Sequence, residues 1–99
     1  MNTAQRQLVT IVSESVVEHR LVADIKRCGA KGYSLGHVTG EGLTGNHSLD
    51  LNGPSIRLET VVSEDVAQAI MTLLAEQYFD RYATVAWTTP VNVLRPNRY

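Results

Sequence analysis

One glycine-rich segment of this chain, GHVTGEGLTGNHSLDLNGP (residues 36–54), has residue types that could bind an anion. Gly40 and Gly42 in its GEG motif let the backbone pass close to a ligand, and they let N–H groups converge on an anion. The motif is neither a P-loop nor a dinucleotide fingerprint, because no helix is predicted after it. The segment therefore predicts a loop that approaches a small anionic ligand.

A divalent-cation site is a second interpretation of the same segment. His37 and His47 carry imidazoles there, and Glu41 and Asp50 carry carboxylates. Their spacing matches no established ligand motif, and such loops rarely close a metal site without an organised series of carboxylates. Cys28 stands alone, so neither a disulfide nor a cysteine-based zinc site is available. Its position in a helical stripe indicates a small buried hydrophobic residue.

Two pairs of charged residues have both a structural and a functional interpretation. Arg57 and Glu59 lie at i and i+2, on one face of a predicted strand. They would either pair across a subunit interface or border a ligand pocket. Arg95 and Arg98, in RPNRY, are either a solvated tail or a clamp whose guanidinium groups close over phosphate oxygens.

The composition limits the class of protein. The chain has 99 residues, of which 43% are hydrophobic and 19% charged, as is ordinary for a soluble globular domain. A formal net charge of -1 removes the broad electrostatic case for nucleic-acid binding. No apolar run approaches the roughly 20 residues that span a bilayer, and the start, MNTAQRQL, lacks the layout of a signal peptide. We expect a single cytoplasmic domain.

Four strands are predicted from the residue patterns. LVTIVS (8–13) is β-branched and apolar on both faces, as a central strand is. Two further strands are predicted at 33–39 and at 55–62, where apolar and polar residues alternate. The last strand, 82–94, contains Pro90 and must therefore be an edge strand or bulged at that point.

Two helices follow the first and the third strand. An apolar stripe at helical spacing predicts a helix over 16–28, which Gly29 ends in the left-handed conformation. Ser15 and Glu18 have the spacing of a capping box at its start. Ser63 should cap the second helix.

The element order β-α-β-β-α-β predicts an α+β class, ferredoxin-like fold, in which a four-stranded antiparallel sheet carries both helices on one face. The other face, with Arg57, Glu59, Val61 and Tyr82 or Trp87, would be open in a monomer and favours self-association. About 14 residues separate strands two and three, where hairpins usually take about 2 to 5. Connections of that length are usually functional or disordered.

A series of short motifs resembles the PII-like signalling proteins. The motifs are GAKGYS (29–34), GEG (40–42), IRLE (56–59) and DRYA (80–83). The series is similar to the small members linked to inorganic carbon, the SbtB type and the carboxysome-associated type, and it covers the chain as one domain, 1–99. The resemblance implies a homotrimer of ferredoxin-like subunits, with an adenine-nucleotide site in each cleft between subunits.

The resemblance also implies a set of nucleotide-binding residues and a reporter loop. The loop between strands two and three, called the T-loop and placed here at about 40–54, changes order with the ligand and reports to a partner. Ser34 would lie near the adenine, and the residues of the GEG motif would lie beside the phosphates. The implied set is Ser34, Gly40, Glu41, Gly42, Leu43, Arg57, Glu59, Tyr82, Thr88, Thr89 and, at the start of the C-terminal tail (95–99), Arg95.

The implied ligands and partners follow from the same resemblance. AMP or ADP is favoured as the ligand, ATP and cyclic AMP are further candidates, and bicarbonate could bind as a small anion at the loop base. The implied partner is a bicarbonate transporter or another component of inorganic-carbon uptake, which would bring the protein to the membrane. No catalytic constellation emerges from the sequence, so we expect no enzymatic activity.

Two departures from the family pattern and two alternatives bear on these expectations. DRYATVAW leaves no room for the glycine- and lysine-rich phosphate loop of the longer PII proteins, and basic residues are missing around GEG.

One alternative is a divalent-cation-binding trimer of the CutA kind, with His37, His47 and Cys28 as ligands. The other is a small enzyme of the dimeric α/β barrel kind that uses Glu59 and His37 as acid and base.

Overall fold

The computed structural model describes residues 2–39 and 54–99, and within these ranges it confirms the predicted fold. Strands and helices alternate in the order β-α-β-β-α-β. All neighbouring strands pair antiparallel, in the order β2-β3-β1-β4. The elements are β1 (Ala4–Glu14), α1 (Glu18–Cys28), β2 (Ser34–Val38), β3 (Ser55–Val62), α2 (Glu64–Gln77) and β4 (Val85–Val93), with short 3-10 turns at Ser15–Val17 and Pro96–Arg98.

The central strand β1 is longer than its apolar pattern predicts. The predicted strand covers 8–13, whereas β1 begins at Ala4. Its first residues are polar and pair with β4, for example Gln5 with Asn92. The backbone ladder supplies the hydrogen bonds of this extension, so no apolar side chain is needed to form it. Apolar periodicity therefore marked the buried middle of the strand and missed its polar start.

The start of α1 differs from the predicted capping box. A 3-10 turn, Ser15–Val17, precedes the α-helix, and the side-chain oxygen of Ser15 is buried without a hydrogen-bond partner among the described residues. Glu18 instead approaches His37 on β2. The prediction of a capping box is wrong because the 3-10 turn takes Ser15 out of the N-cap position. The helix end is as predicted: Gly29 has φ 117° and donates its N–H to the Lys26 carbonyl at 3.0 Å.

Helix α2 begins as predicted. The Ser63 hydroxyl accepts the N–H of Val66 at 3.3 Å, and Glu64 and Asp65 lie in the first turn, where the helix dipole favours negative charge.

The two helices cover one face of the sheet and enclose the core. Its buried residues come from both helices, β1 and β3, and they include Val9, Ile11, Leu21, Ile25, Ile56, Leu58, Ile70, Leu74 and Tyr78.

A buried polar cluster joins the two helices. Asp24 of α1 accepts a 2.6 Å hydrogen bond from the Tyr78 hydroxyl and pairs with Arg27 in the next turn. Burial, and then the hydrogen bond to Asp24, raise the pKa of Tyr78 well above its usual range. Arg20 stacks over the Tyr78 ring at 4.9 Å. The hydroxyl of Tyr78 and the guanidinium of Arg27 therefore give the buried carboxylate of Asp24 its polar partners.

The opposite face of the sheet is free of helices in the described chain. Strand alternation and register place Thr10, Arg57, Glu59, Val61 and Trp87 on it. Of the two aromatic residues predicted for this face, Trp87 lies there and is 40% exposed. Tyr82 precedes β4 and packs on the helix side.

The strand that contains Pro90 is an edge strand, as predicted. β4 pairs with β1 along its whole length, Pro90 lies opposite Gln7, and no bulge interrupts the register. β4 covers Val85–Val93 within the predicted 82–94.

Candidate functional site

A polar network crosses the open face of the sheet. The Arg57 guanidinium lies 3.6 Å from the Glu59 carboxylate on the same strand, β3. The Thr10 hydroxyl of β1 donates to Glu59 at 3.2 Å, and Arg57 lies over the Trp87 ring of β4, 5.7 Å from its centroid. The network therefore ties three strands together and presents a half-exposed guanidinium beside an aromatic ring.

Ser34 lies beside this network. It is exposed at the start of β2, and the register pairs it with Glu59 of β3. Thr89 occupies the same face on β4, opposite Leu8 of β1. The structure thus brings the predicted residues Ser34, Arg57, Glu59 and Thr89 onto one face of the sheet.

A basic cavity of about 350 Å³ lies next to the start of β2. The connection from α1 to β2 supplies Lys31 and Gly32, and the C-terminal segment supplies Arg95, Arg98 and Tyr99. The described residues that line the cavity bring three cationic side chains and no carboxylate side chain. Such a cluster repels cations and favours an anion.

Hydrogen bonds from the sheet hold both walls of the basic cavity. The buried Thr60 of β3 donates its hydroxyl to the Gly32 carbonyl at 2.6 Å. Arg6 of β1 donates to the Pro96 carbonyl at 3.3 Å, which fixes the short 3-10 turn that carries Arg98. Both segments that carry the cations are therefore tied to the sheet through their backbone.

Guanidinium groups suit a phosphate because their donors form a planar fork, and an ammonium group adds a point charge.

Arg95 is a predicted site residue, and Arg98 was interpreted as a clamp or a tail. Lys31 and Tyr99 were missed by the sequence analysis. The basic GAKG connection was a possible signal for Lys31, because it leads directly into Ser34. No pattern in the sequence indicates that this connection meets the C-terminal segment.

Two of the predicted residues lie on the helix side of the sheet. Tyr82 packs against Tyr78, with ring centroids 5.7 Å apart, and its hydroxyl accepts a 3.1 Å hydrogen bond from Arg20. Thr88 lines a groove between β4 and α2 together with Gln7 and five α2 residues. One chain therefore does not bring them together with Ser34. They stay predictions for a site that would form between copies of the chain.

The remaining predicted site residues, Gly40, Glu41, Gly42 and Leu43, lie outside the described residues, as does His47 of the metal alternative. Within 2–39 and 54–99, no group of three His, Cys, Asp or Glu side chains could hold a metal ion. Burial, helped by the Asp24 carboxylate and opposed by Arg27, raises the pKa of the Cys28 thiol.

Two described residues that flank positions 40–53, His37 and Pro54, contact the region where α1 begins. His37 of β2 lies 3.2 Å from the Glu18 carboxylate, and the Ser15 N–H donates to the Pro54 carbonyl at 3.1 Å.

In the described part of the chain, neither helix is long and apolar enough to cross a membrane.

Comparisons with known proteins place the chain in a family. The model of the nitrogen regulatory protein P-II family matches residues 6–98. A PII-like signalling protein from Thermus thermophilus is 48% identical, with 100% of this chain and 99% of that chain covered and a TM-score of 0.86. No curated protein matches the chain.

Two structures of CPII from Thiomonas intermedia share the fold at lower identity. The complex with ADP, AMP and acetate is 18% identical, covers 100% of this chain and 98% of that chain, and has a TM-score of 0.86. The complex with ADP, AMP and bicarbonate is 17% identical, covers 99% and 100%, and has a TM-score of 0.82. Because the P-II family model spans nearly the whole chain and the Thermus protein matches it from end to end, the chain belongs to the P-II family.

Proposed function

We propose that the protein is a PII-like signalling protein that binds an adenine nucleotide and has no enzymatic activity. The observation that carries the proposal is the basic cavity formed by Lys31, Arg95 and Arg98 beside Ser34. Three cationic side chains, on segments whose backbone carbonyls at Gly32 and Pro96 are hydrogen-bonded to the sheet, are suited to the phosphates of a nucleotide. The polar network of Arg57 and Glu59, which Ser34 joins through the register, would complete the site on the open face.

AMP and ADP are the favoured ligands, with bicarbonate as an additional anion. The cavity of about 350 Å³ lies at the small end of the range for ligand sites, so it suits the phosphate part of a nucleotide. CPII was solved with ADP, AMP and bicarbonate, and its likeness to this chain supports the fold on which the proposal rests. ATP and cyclic AMP stay as competing candidates.

The functional unit in this proposal is a homotrimer. The helix-free face would pack against copies of itself, and the clefts between subunits would bring Tyr82, Thr88 and Thr89 to the nucleotide. A chain of 99 residues has little buried surface of its own, so association would also stabilise it.

The output in this proposal is contact with a partner through the T-loop, residues 40–54. The proposed partner is a bicarbonate transporter or another component of inorganic-carbon uptake at the cytoplasmic side of the membrane. The ligand would change the affinity for the partner through a coupling free energy, which is typically about 1–3 kcal/mol. Pull-down of membrane proteins with and without each nucleotide would identify the partner.

Calorimetric titration with AMP, ADP, ATP and cyclic AMP, each with and without bicarbonate, tests the ligand. We expect heat with AMP or ADP, and a loss of affinity of about 10-fold or more in Arg95→Gln and Arg98→Gln, because each removes a charge-assisted hydrogen bond to phosphate. Arg81→Gln is the matched control, since Arg81 is an exposed arginine in the turn after α2. Absence of heat with every nucleotide, or an equal loss in Arg81→Gln, would contradict the proposal.

A further inference from the structure

The core-facing side of β3 carries one hydroxyl among apolar side chains. Strand alternation places Ile56, Leu58, Thr60 and Val62 on this side, and all four are buried. Thr60 is 2% exposed, and a valine would fill the same space without a polar atom. Because a buried hydroxyl costs free energy unless it is hydrogen-bonded, packing alone favours valine at this position. The reason for a threonine therefore lies in the contact that its hydroxyl makes.

That contact is with the wall of the basic cavity. The Thr60 hydroxyl donates to the carbonyl of Gly32 at 2.6 Å, and Gly32 follows Lys31, which lines the same cavity. Helix α1 ends at Cys28 and β2 begins at Ser34, so both cavity residues lie in a connection without regular secondary structure. Thr60 therefore ties this connection to the core at the point where it meets the cavity.

The hydrogen bond also sets the direction of the Gly32 carbonyl. A carbonyl oxygen is a hydrogen-bond acceptor and would repel an anion if it faced the cavity. The bond to Thr60 directs this oxygen towards the core instead. A Cβ at Gly32 would meet no atom of the described chain within 4 Å, so the space beside this backbone is open. An anion can therefore approach Gly32 closely without facing its carbonyl oxygen.

We propose that Thr60 is a positioning residue for the phosphate groups of the nucleotide. Its hydroxyl holds the backbone at Gly32 so that the carbonyl stays turned away and the Lys31 ammonium joins the two arginines of the cavity around the anion. Thr60 does not touch the ligand, because it is buried on the core side of β3. This role rests on the proposed function, since it concerns the same basic cavity.

Calorimetric titration of ADP and of inorganic pyrophosphate into Thr60 variants measures this role. Thr60→Val removes the donor, and we expect it to weaken the binding of both ligands by about three- to ten-fold. Thr60→Ser keeps the donor, so its affinities should stay within about two-fold of wild type. Thr60→Cys has a weaker donor and should fall between them, and it carries the comparison if Thr60→Val does not fold. Because pyrophosphate lacks the adenosine part, an equal loss for both ligands assigns the effect to the phosphates.

Thr84→Val is the matched control for the loss of a buried hydroxyl. Thr84 is also a buried threonine, its hydroxyl lies 2.7 Å from that of Ser13, and neither residue lines the basic cavity. This variant should lower stability in urea unfolding and leave the affinity for both ligands unchanged. If the hydroxyl of Thr60 served the fold alone, Thr60→Val would behave in the same way.

A double-mutant cycle shows whether Thr60 acts through Lys31. Lys31→Gln removes the cation that the connection carries. If Thr60 positions this cation, the loss of affinity caused by Thr60→Val becomes smaller in the Lys31→Gln background. Strictly additive losses would overturn this coupling and with it the positioning role.

Three further outcomes would overturn the role of Thr60 and leave the proposed function intact. They are wild-type affinity in Thr60→Val, a loss in Thr60→Ser as large as in Thr60→Val, and an equal loss in Thr84→Val. A wild-type protein that binds neither ADP nor pyrophosphate would instead refute the proposed function itself, and the role of Thr60 with it.

Discussion

At the scale of single residues, some polar groups of the chain stabilise the fold, whereas others remain available to bind a ligand. Asp24 is 2% exposed and its carboxylate is committed to Tyr78 and Arg27. Lys31, Arg95 and Arg98 line an open cavity whose described walls bring no carboxylate side chain. The contacts of Asp24 stabilise the packing of the two helices. The three cations that line the cavity are the stronger indication of a binding site.

Tyr78→Phe is predicted to destabilise the protein by about 1–3 kcal/mol, because it leaves a buried carboxylate oxygen without its donor. Urea unfolding at fixed protein concentration would measure the change. Tyr82→Phe is the control, because the Tyr82 hydroxyl makes an exposed hydrogen bond, which it accepts from Arg20. This variant should lower the free energy of unfolding by less than about 0.5 kcal/mol.

The same contact predicts a dependence on pH. The pKa of Tyr78 is raised by burial and by Asp24, while an unfolded tyrosine ionises near about pH 10. The unfolded state therefore loses its proton first, and the free energy of unfolding falls as pH rises above about 10. Tyr78→Phe should lose less stability over this alkaline range than the wild type. An identical slope in both proteins would contradict this account.

At the scale of elements, the close approach of α1 and α2 depends on Gly29. Its φ of 117° is strained for any residue with a Cβ, and a Cβ at this position would lie 3.0 Å from Cγ2 of Val66 on α2. The helix end and the helix contact therefore require glycine for two separate reasons.

Gly29→Ala is predicted to lower the free energy of unfolding by about 1–2 kcal/mol, from left-handed strain alone. Gly36→Ala is the matched control, because nothing lies within 4 Å of its Cβ position and its φ is not positive. Thermal or urea unfolding of the two variants gives the comparison. Equal stability of the two variants would contradict the strain expected for a Cβ at position 29.

The elements also show which parts of the structure were predictable from the sequence. Strand β3, the start of α2 and the end of α1 follow from local signals: period-two alternation, the Ser63 cap and the Gly29 terminus. The Ser15–Glu18 capping box failed because a 3-10 turn takes Ser15 out of the N-cap position. Glu18 lies beside His37 of β2 instead, a long-range contact that local spacing does not indicate.

The candidate site was only partly predictable for a similar reason. The resemblance assigned both Ser34 and Glu59 to the site, and the register between β2 and β3 makes them neighbours. The resemblance assigned Thr88 and Thr89 together, although alternation puts adjacent residues of a strand on opposite faces. Lys31 lines the same cavity as Arg95 only because the C-terminal turn folds back towards the α1–β2 connection. The two residues are far apart in the sequence, and their proximity has no periodic signature.

At the scale of the whole molecule, the helix-free face of the sheet predicts association. Val61 lies on this face opposite Leu8, and Trp87 is 40% exposed nearby. Mass measurement by light scattering should give about three times the chain mass of 10.9 kDa for the wild type. Val61→Glu should reduce the mass, because it places an unpaired charge in the contact.

Ala75→Glu is the control for that experiment, since Ala75 is exposed on α2, on the far side of the sheet. It should keep the wild-type mass. A wild-type protein that stays at the mass of one chain, or a Val61→Glu protein that keeps the assembled mass, would contradict packing through this face.

Pro90 has a consequence for the solubility of the chain. The nine-residue edge strand β4 would otherwise offer an uninterrupted row of N–H groups, which is a template for run-on strand addition and aggregation. Proline lacks one of those donors and is accommodated without a bulge. The edge can therefore stay open for a closed assembly of a few copies and still resist growth into fibres.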